Sequence, residues 1–210
     1  FIFARGGSKG VNRKNLKNLC GKPLISYSIE LAKRIERIDN IFVSTEDDEI
    51  SKVSKELGAV VIQRPIELTK DDSNEWLSWQ HAIKWLYDKE KYFDVFISLP
   101  ATSPLRNQND VLNCLDCLDK GTDTVVGITE AHRSPWFNMV KKNKNGFLKV
   151  LLNSSKSYVR RQETPKAFDL TTVAYVSRPE FILDASGLFD GKVKGVMIST
   201  DRAIDIDTYF

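Results

Sequence analysis

Short apolar runs, typical of buried strands, alternate with longer amphipathic segments along most of this chain. The runs predicted as strands are 1–4, 40–45, 59–63, 93–99, 122–128, 170–177 and 193–199. The segments predicted as helices between them are 24–37, 47–57, 73–87, 109–118 and 179–183. Such alternation predicts right-handed βαβ crossovers, and therefore a three-layer α/β fold in which a mainly parallel sheet lies between helices.

The alternation is interrupted between residues 130 and 161. Two apolar, strand-like runs, 137–140 and 147–152, flank the polar turn 141–146 and predict a hairpin. We interpret residues 1–210 as a single domain and 130–161 as an inserted β-rich subdomain. Because an isolated domain would expose these apolar runs and Trp136, we expect the insertion to pack against a second copy in a homodimer.

Glycines and basic residues cluster directly after the first predicted strand. The segment 3–10 reads FARGGSKG, and further basic residues follow at Arg13, Lys14 and Lys17. Glycines let the backbone expose successive N–H groups, and the basic side chains add positive charge, so the loop favours a phosphate chain. Its spacing matches neither the Walker A loop nor G-x-G-x-x-G. The alternative is a flexible basic turn on the surface.

A pair of acids, Asp205 and Asp207, lies near the other end of the chain. Residues two apart in an extended segment face the same side, so the two carboxylates should converge while Ile206 points inward. Hard oxygen ligands of this kind suit Mg²⁺, which commonly takes one or two carboxylates together with substrate phosphates and water.

Composition excludes several classes of function. The net charge of only +3 gives no electrostatic case for nucleic acid as the main partner. No apolar run is long enough to span a bilayer, and the first apolar run stops at Ala4, so neither a membrane nor a signal peptide is expected. Three cysteines, an odd number, fit a reduced cytoplasm, and the spacing of Cys114 and Cys117 follows a helical pattern rather than a zinc site.

Four segments together resemble the cytidylyltransferases that activate acidic eight- and nine-carbon sugars, a family that includes the CMP-sialic acid synthetases. The segments are 4–10 with Lys14 and Asn15, Arg64 with Pro65, 99–106 (LPATSPLR) and 204–208 (IDIDT). The resemblance implies a Rossmann-like nucleotidyltransferase fold and an enzyme that uses Mg²⁺. The implied reaction transfers CMP from CTP to the anomeric hydroxyl of an acidic 2-keto sugar and releases pyrophosphate.

The matching positions carry expected roles in this reaction. Triphosphate contacts and catalysis are assigned to Arg5, Lys9, Lys14 and Asp207, and the metal to Asp205 and Asp207. Nucleotide binding is assigned to Ala4, Gly6, Gly7, Ser8, Gly10, Asn15, Arg64, Ala101, Thr102 and Ser103. Positions that resemble sugar-facing residues of the family are Gln108, Arg161, Phe168 and Tyr175. Arg106 could touch a ligand or form a salt bridge beside the following helix.

The sequence also departs from the sialate-activating pattern. Thr171, Thr172 and Val173 stand where Asn-Gly-Ala often precedes the tyrosine, and no lysine follows Pro135. These changes lie mainly on the sugar side and leave the sugar open. Two rival functions remain: a sugar nucleotidyltransferase that uses UTP or GTP, and a non-catalytic nucleotide-sugar-binding module. Neither His81 nor His132 lies near a motif, so no general base is evident.

Overall fold

The computed structural model of the protein describes residues 1–7, 10–70, 73–154 and 156–208. Its helices are α1 Leu24–Lys33, α2 Asp48–Glu56, α3 Glu75–Tyr87, α4 Gln108–Asp116 and α5 Pro179–Asp184. Its strands are β1 Ile2–Phe3, β2 Asn18–Leu19, β3 Lys22–Pro23, β4 Phe42–Thr45, β5 Val60–Gln63, β6 Phe96–Ser98, β7 Thr124–Glu130, β8 Val140–Lys142, β9 Leu148–Val150, β10 Phe168–Ser177 and β11 Val193–Met197. Within these ranges, no helix is both long and apolar enough to cross a bilayer.

Most of the strands belong to two adjoining groups, in which most pairs of neighbouring strands are parallel. Strand β4 lies between β1 and β5 and runs parallel to both. Phe1 joins this group to β6, because its amino group donates to Ile97 O at 2.6 Å and its carbonyl accepts from Leu99 N at 2.9 Å. Strand β10 then pairs antiparallel with β6 and β7, and β11 pairs parallel with β7. The predicted α/β fold with a mainly parallel sheet is confirmed, with β10 as a reversed strand.

Helices cover both faces of the sheet, as the apolar pattern requires. On one face, buried residues of α1, α2 and α4, including Ile29, Ile50 and Val111, pack against the strands. On the other face, α3 and α5 contribute Trp79 and Ile182 to a cluster with Phe96. The strands are therefore buried from both sides, which explains their nearly continuous apolar runs.

Polar N-caps determine where α2 and α4 begin. Asp47 lies two residues after β4 and accepts a hydrogen bond from Ile50 N at 2.9 Å, which starts α2. Asn107 forms a capping box with Asp110 at the start of α4. Helix α1 ends at Lys33, earlier than the predicted residue 37, and Ile35 remains buried in the turn that follows.

The insertion forms the predicted hairpin, although its strands are shorter than the apolar runs. Strands β8 and β9 pair antiparallel, with Val140 opposite Val150. Most of its large apolar side chains face solvent in the single chain, and that of Phe147 is 69% exposed. These exposed side chains are Met139, Val140, Phe147, Leu148, Leu151 and Leu152.

A buried arginine holds the segment after β6 to its surroundings. Arg106 Nε donates to Ser103 O at 2.9 Å and its Nη1 donates to Val173 O at 2.6 Å. Its Nη2 donates to Ser28 Oγ at 2.8 Å and also to Pro100 O. Burial lowers the pKa of Arg106 to about 9. Its guanidinium thus binds backbone carbonyls and a hydroxyl rather than an acid or a ligand, and it joins α1, β10 and the 99–106 loop.

We predict that Arg106→Met lowers the free energy of unfolding by about 3 kcal/mol or more, because several buried acceptors lose their donor at once. Urea denaturation at fixed protein concentration measures the change. Arg133→Met removes a solvent-exposed guanidinium and serves as the control. A loss no larger in Arg106→Met than in the control would contradict this structural role.

Candidate active site

A cleft of about 510 Å³ lies at the carboxyl ends of β1, β5 and β6. Ligands of open α/β sheets bind at this edge, because the loops that leave the strands diverge there. Much of the predicted site lines the cleft: Arg5, Gly10, Lys14, Asn15, Arg64, Ala101, Thr102, Tyr175, Asp205 and Asp207. The structure therefore brings together residues from both ends of the chain.

The glycine-rich loop is held by acids that follow β4. Gly6 N donates to Glu46 Oε1 at 2.8 Å, and a Cβ at Gly6 would lie 2.4 Å from Asp47 Oδ2. Arg13 Nη2 bonds Asp47 at 3.1 Å and Glu49 at 2.8 Å. A side chain at Gly6 would require the Asp47 side chain to move, so glycine fits this close contact between the loop and the acids.

Only some residues of the glycine-rich loop line the cleft. Asn15 is buried and its Nδ2 donates to Arg5 O at 3.0 Å, while Arg5 Nη1 donates to Thr69 O at 3.1 Å. Ala4 is buried and its N–H donates to Ser44 O, so it belongs to the sheet. Gly6 and Gly7 do not line the cleft. Ser8 and Lys9 lie outside the described residues, so their assigned roles stay predictions.

An ion pair joins the loop to the acidic segment near the end of the chain. Lys14 Nζ lies 2.9 Å from Asp207 Oδ1, and its hydrogen bond lowers the pKa of that carboxyl group. Gly10 approaches the same segment so closely that a Cβ there would lie 2.0 Å from Asp207 O. The loop and the acidic segment are therefore fitted to each other at this end of the cleft.

The carboxyl groups of Asp205 and Asp207 lie within hydrogen-bonding distance of each other. Burial raises the pKa of Asp205, and the nearby hydroxyls of Thr102 and Thr172 oppose that shift. Ile206 N donates to Thr102 O at 2.8 Å, which fixes the acidic segment beside the loop after β6. Two converging carboxylates are a donor set that suits a hard divalent cation.

The fit to such a cation depends on these two acids. Among residues 1–7, 10–70, 73–154 and 156–208, no group of three or more His, Cys, Asp or Glu side chains is placed to hold a metal ion. A cation bound by two carboxylates completes its shell with water and substrate oxygens, as Mg²⁺ commonly does in nucleotide enzymes.

The opposite end of the cleft contains Arg64. Its side chain is buried, with Nε donating to Ser44 Oγ at 3.1 Å and Nη2 to Ser44 O at 2.7 Å. Burial lowers the pKa of Arg64, and the charges of Glu46 and Glu75 oppose that shift. The guanidinium lies over the Phe3 ring, 5.6 Å from its centroid, so its orientation is fixed.

A bulge in β10 turns two of its side chains into the cleft. The pairing of β10 with β7 shifts register between Leu170 and Tyr175. In a regular strand, Thr172 and Tyr175 would face opposite sides, but here both line the cleft. Burial raises the pKa of Tyr175 to about 12, with a smaller effect from the charges of Glu75 and Asp205.

Several polar residues of the cleft were not among the predicted site residues: Lys70, Ser73, Glu75, Ser78 and Thr172. Thr172 was noted only as a departure from the family pattern, and the bulge that reorients it leaves no pattern in the sequence. Glu75 is the first residue of α3, where an acid is ordinarily explained by the helix dipole. The sequence did offer one indication that Glu75 lies in the site: it begins the helix that follows β5 and the Arg64-Pro65 pair.

Besides Ala4, Gly6 and Gly7, four further predicted residues do not line the cleft of this chain. Ser103 is buried, and its Oγ lies 2.6 Å from Thr172 Oγ1. Gln108 Nε2 donates to Arg34 O at 3.2 Å. Arg161 Nη1 donates to the carbonyls of residues 131 and 132, at 3.0 and 2.7 Å, at the base of the insertion. Phe168 begins β10 and is exposed beside that base.

The comparisons with known proteins agree with this geometry. The family described as Cytidylyltransferase matches residues 1–184. The chain is 31% identical over 214 residues to post-translational flagellin modification protein B of Campylobacter coli, which covers 99% of this chain and 88% of that protein. It is 30% identical over 213 residues to the CMP-N,N'-diacetyllegionaminic acid synthase of Campylobacter jejuni, with the same shares of 99% and 88%.

A solved structure of CMP:2-keto-3-deoxy-manno-octonic acid synthetase complexed with CTP has a similar fold. The TM-score is 0.70 at 18% identity, and the match covers 99% of this chain and 91% of that one. At this identity the likeness concerns the fold alone. The family match over residues 1–184, together with the relatives that match nearly the whole chain, confirms the resemblance found in the sequence. The chain belongs to the cytidylyltransferase family and is a CTP-dependent nucleotidyltransferase.

Proposed function

We propose that this enzyme transfers CMP from CTP to the anomeric hydroxyl of an acidic 2-keto sugar and releases pyrophosphate. The observation that carries the proposal is the cleft, which combines Arg5 and Lys14 with the Asp205–Asp207 pair at the carboxyl edge of the sheet. Support for the sugar comes from the relative that is a CMP-N,N'-diacetyllegionaminic acid synthase. A nonulosonic acid is therefore the class of substrate that fits best.

In this reaction the sugar oxygen forms a bond to the α-phosphorus as the bond from that phosphorus to the bridging oxygen of pyrophosphate breaks. Negative charge accumulates on the phosphoryl oxygens and on the leaving pyrophosphate. Lys14 and Arg5 provide cationic donors beside the loop, so they would orient the triphosphate and stabilise this charge. Because Asp207 takes one donor of the Lys14 ammonium, its position is set before the nucleotide binds.

We also propose that Asp205 and Asp207 hold Mg²⁺. When bound, the ion would supply charge that neutralises phosphate oxygens and polarises the reacting phosphoryl group. The hydroxyls of Thr102 and Thr172 orient the Asp205 carboxyl group, and Lys14 keeps Asp207 ionised by lowering its pKa. The chain therefore presents two carboxyl groups at the phosphate end of the cleft, and the pKa of one of them, Asp207, is lowered.

A homodimer is the assembly we propose. The exposed apolar side chains of the hairpin, among them Phe147 and Leu148, would be covered by a second copy. Arg161 and Phe168 lie at the base of that hairpin and outside their own chain's cleft. If the hairpin crosses to the partner, these side chains are carried toward the other cleft, where a guanidinium can bind the sugar carboxylate.

We further propose that the enzyme works in the cytoplasm. Cys20, Cys114 and Cys117 are all free thiols. Burial raises the pKa of Cys114 to about 12, so it is a packing residue rather than a reactive one. Free thiols of this kind fit a reducing compartment.

We predict that Asp207→Ala and Asp205→Ala each lower pyrophosphate release by about 10²-fold or more, because each removes a ligand charge beside the phosphates. The Asp207 side chain is 70% exposed, so the fold should be retained, and circular dichroism checks this. Asp201→Ala removes an exposed acid that does not line the cleft and serves as the control. Normal Mg²⁺-dependent turnover in the double variant would contradict the metal assignment.

We predict that Lys14→Ala and Arg5→Ala each lower kcat/KM by about 10²-fold, because each removes a cationic donor worth about 3 kcal/mol to the reacting phosphates. Steady-state pyrophosphate release measures the effect. Lys17→Ala removes an exposed basic side chain that follows the same loop and does not line the cleft. Its kcat/KM should stay close to that of the parent enzyme. If kcat/KM fell by less than about threefold in both cleft variants, the loop would be a surface turn and not a phosphate-binding loop.

We predict that light scattering at micromolar concentration gives the mass of a dimer, and that active sites are shared between the two chains. Asp207→Ala and Arg161→Ala homodimers should both be inactive. Their mixed dimers should recover about one working site each, because one cleft then contains an intact acid pair and an intact partner arginine. A fully active monomer would refute the dimer, and mixed dimers without activity would refute the shared site.

A further inference from the structure

Glu75 lies in the cleft without a role in the reaction as described so far. It is the first residue of α3, and Asn74 caps that helix by accepting from Trp76 N at 3.0 Å. One turn further on, Trp79 Nε1 donates to Glu75 Oε1 at 3.3 Å. Trp79 is itself packed in the core, so the carboxylate is held in a defined position at the wall of the cleft.

Glu75 and Arg64 line the same cleft. Burial raises the pKa of Glu75 and lowers the pKa of Arg64, and the charge of each group opposes the shift of the other. No ion pair within 4.0 Å joins them in the part of the chain that the structure describes. Both side chains line the same cleft, and each is fixed by other partners. The wall of one cleft thus contains an acceptor and a donor that are each held by other partners, a pair that can serve a flat ligand edge with a donor beside an acceptor.

Some polar side chains around the cleft already have partners. The Ser103 hydroxyl is paired with Thr172, and the Ser44 hydroxyl accepts from Arg64. The Thr102 hydroxyl lies beside Asp205 at the phosphate end. The sequence assigned nucleotide binding to Arg64 and residues 101–103, but the Ser103 hydroxyl is turned to Thr172. Glu75 is a carboxylate, which would repel a triphosphate, so the uncharged base is the part of the nucleotide that it suits.

We propose that Glu75 selects cytosine over uracil, with its carboxylate accepting a hydrogen bond from the exocyclic N4 amino group while Arg64 donates to the ring acceptors. Cytosine presents a donor at N4 beside acceptors at N3 and O2. Uracil presents the O4 acceptor in place of that donor, so its oxygen would face a carboxylate. A site with fixed polar groups rejects the base that leaves them unpaired. Glu75 is therefore a specificity-determining residue, and this role rests on the use of CTP by the family.

The test compares Kd values for CTP and UTP, measured by isothermal titration calorimetry in the presence of Mg²⁺, in the parent enzyme and in Glu75→Gln. We expect the CTP preference to fall by about tenfold or more, because the amide can donate to O4 of uracil as well as accept from N4 of cytosine. Glu75→Ala should weaken CTP binding and leave UTP binding nearly unchanged. Glu67→Gln removes a neighbouring exposed carboxylate outside the cleft and should keep the parent's preference.

An unchanged preference in both Glu75 variants, with thermal midpoints showing that they are folded, would overturn the proposal. So would an equal loss of kcat with both nucleotides and unaltered Kd values, since that result places Glu75 in the chemical step. Because the binding measurement needs no sugar, it is independent of the proposed acceptor. If the parent binds CTP selectively but releases no pyrophosphate with acidic 2-keto sugars, the proposed function fails while the role of Glu75 stands.

Discussion

The contact between Lys14 and Asp207 is the interaction on which the cleft depends. The two residues are 193 positions apart in the sequence, and their ion pair measures 2.9 Å. It closes the phosphate end by joining the loop after β1 to the acidic segment. Gly10 permits this closure, since any side chain there would collide with the carbonyl of Asp207. The chain must therefore be folded almost completely before the site exists.

The charges in the cleft are divided between its two ends. At one end, Lys14 stabilises the ionised form of Asp207, and the second carboxyl group, Asp205, has a raised pKa. At the other end, Arg64 and Glu75 partly balance each other without direct contact. With the proposed divalent cation on the acid pair, a triphosphate would gain from the first arrangement and an uncharged base from the second. The proposed orientation of the nucleotide therefore agrees with the distribution of charge in the cleft.

The sequence predicted the order of strands and helices because burial on both sides of a sheet leaves long apolar runs, and it predicted the cleft because its motifs follow strand ends. It could not predict the fate of single side chains. Ser103 lies in a matching motif, yet its hydroxyl bonds Thr172 across the sheet, a contact between residues 69 positions apart. Arg106 similarly joins three elements by donating to carbonyls of its own loop and of β10 and to the Ser28 hydroxyl of α1, which no local pattern encodes. Long-range contacts decide such orientations, and a single sequence does not display them.

Strand β10 connects the base of the insertion, whose apolar side chains are exposed, to the cleft. Its first residue, Phe168, lies beside the exposed base of the insertion, and Tyr175 near its other end lines the cleft. Between them, the bulge replaces regular pairing with β7 by contacts such as the hydrogen bond from Thr171 Oγ1 to Gly127 O at 2.9 Å. A second copy packed on the insertion, as proposed, would contact the same strand that places Thr172 and Tyr175 in the cleft. The proposed assembly and the proposed sugar site would therefore share one structural element.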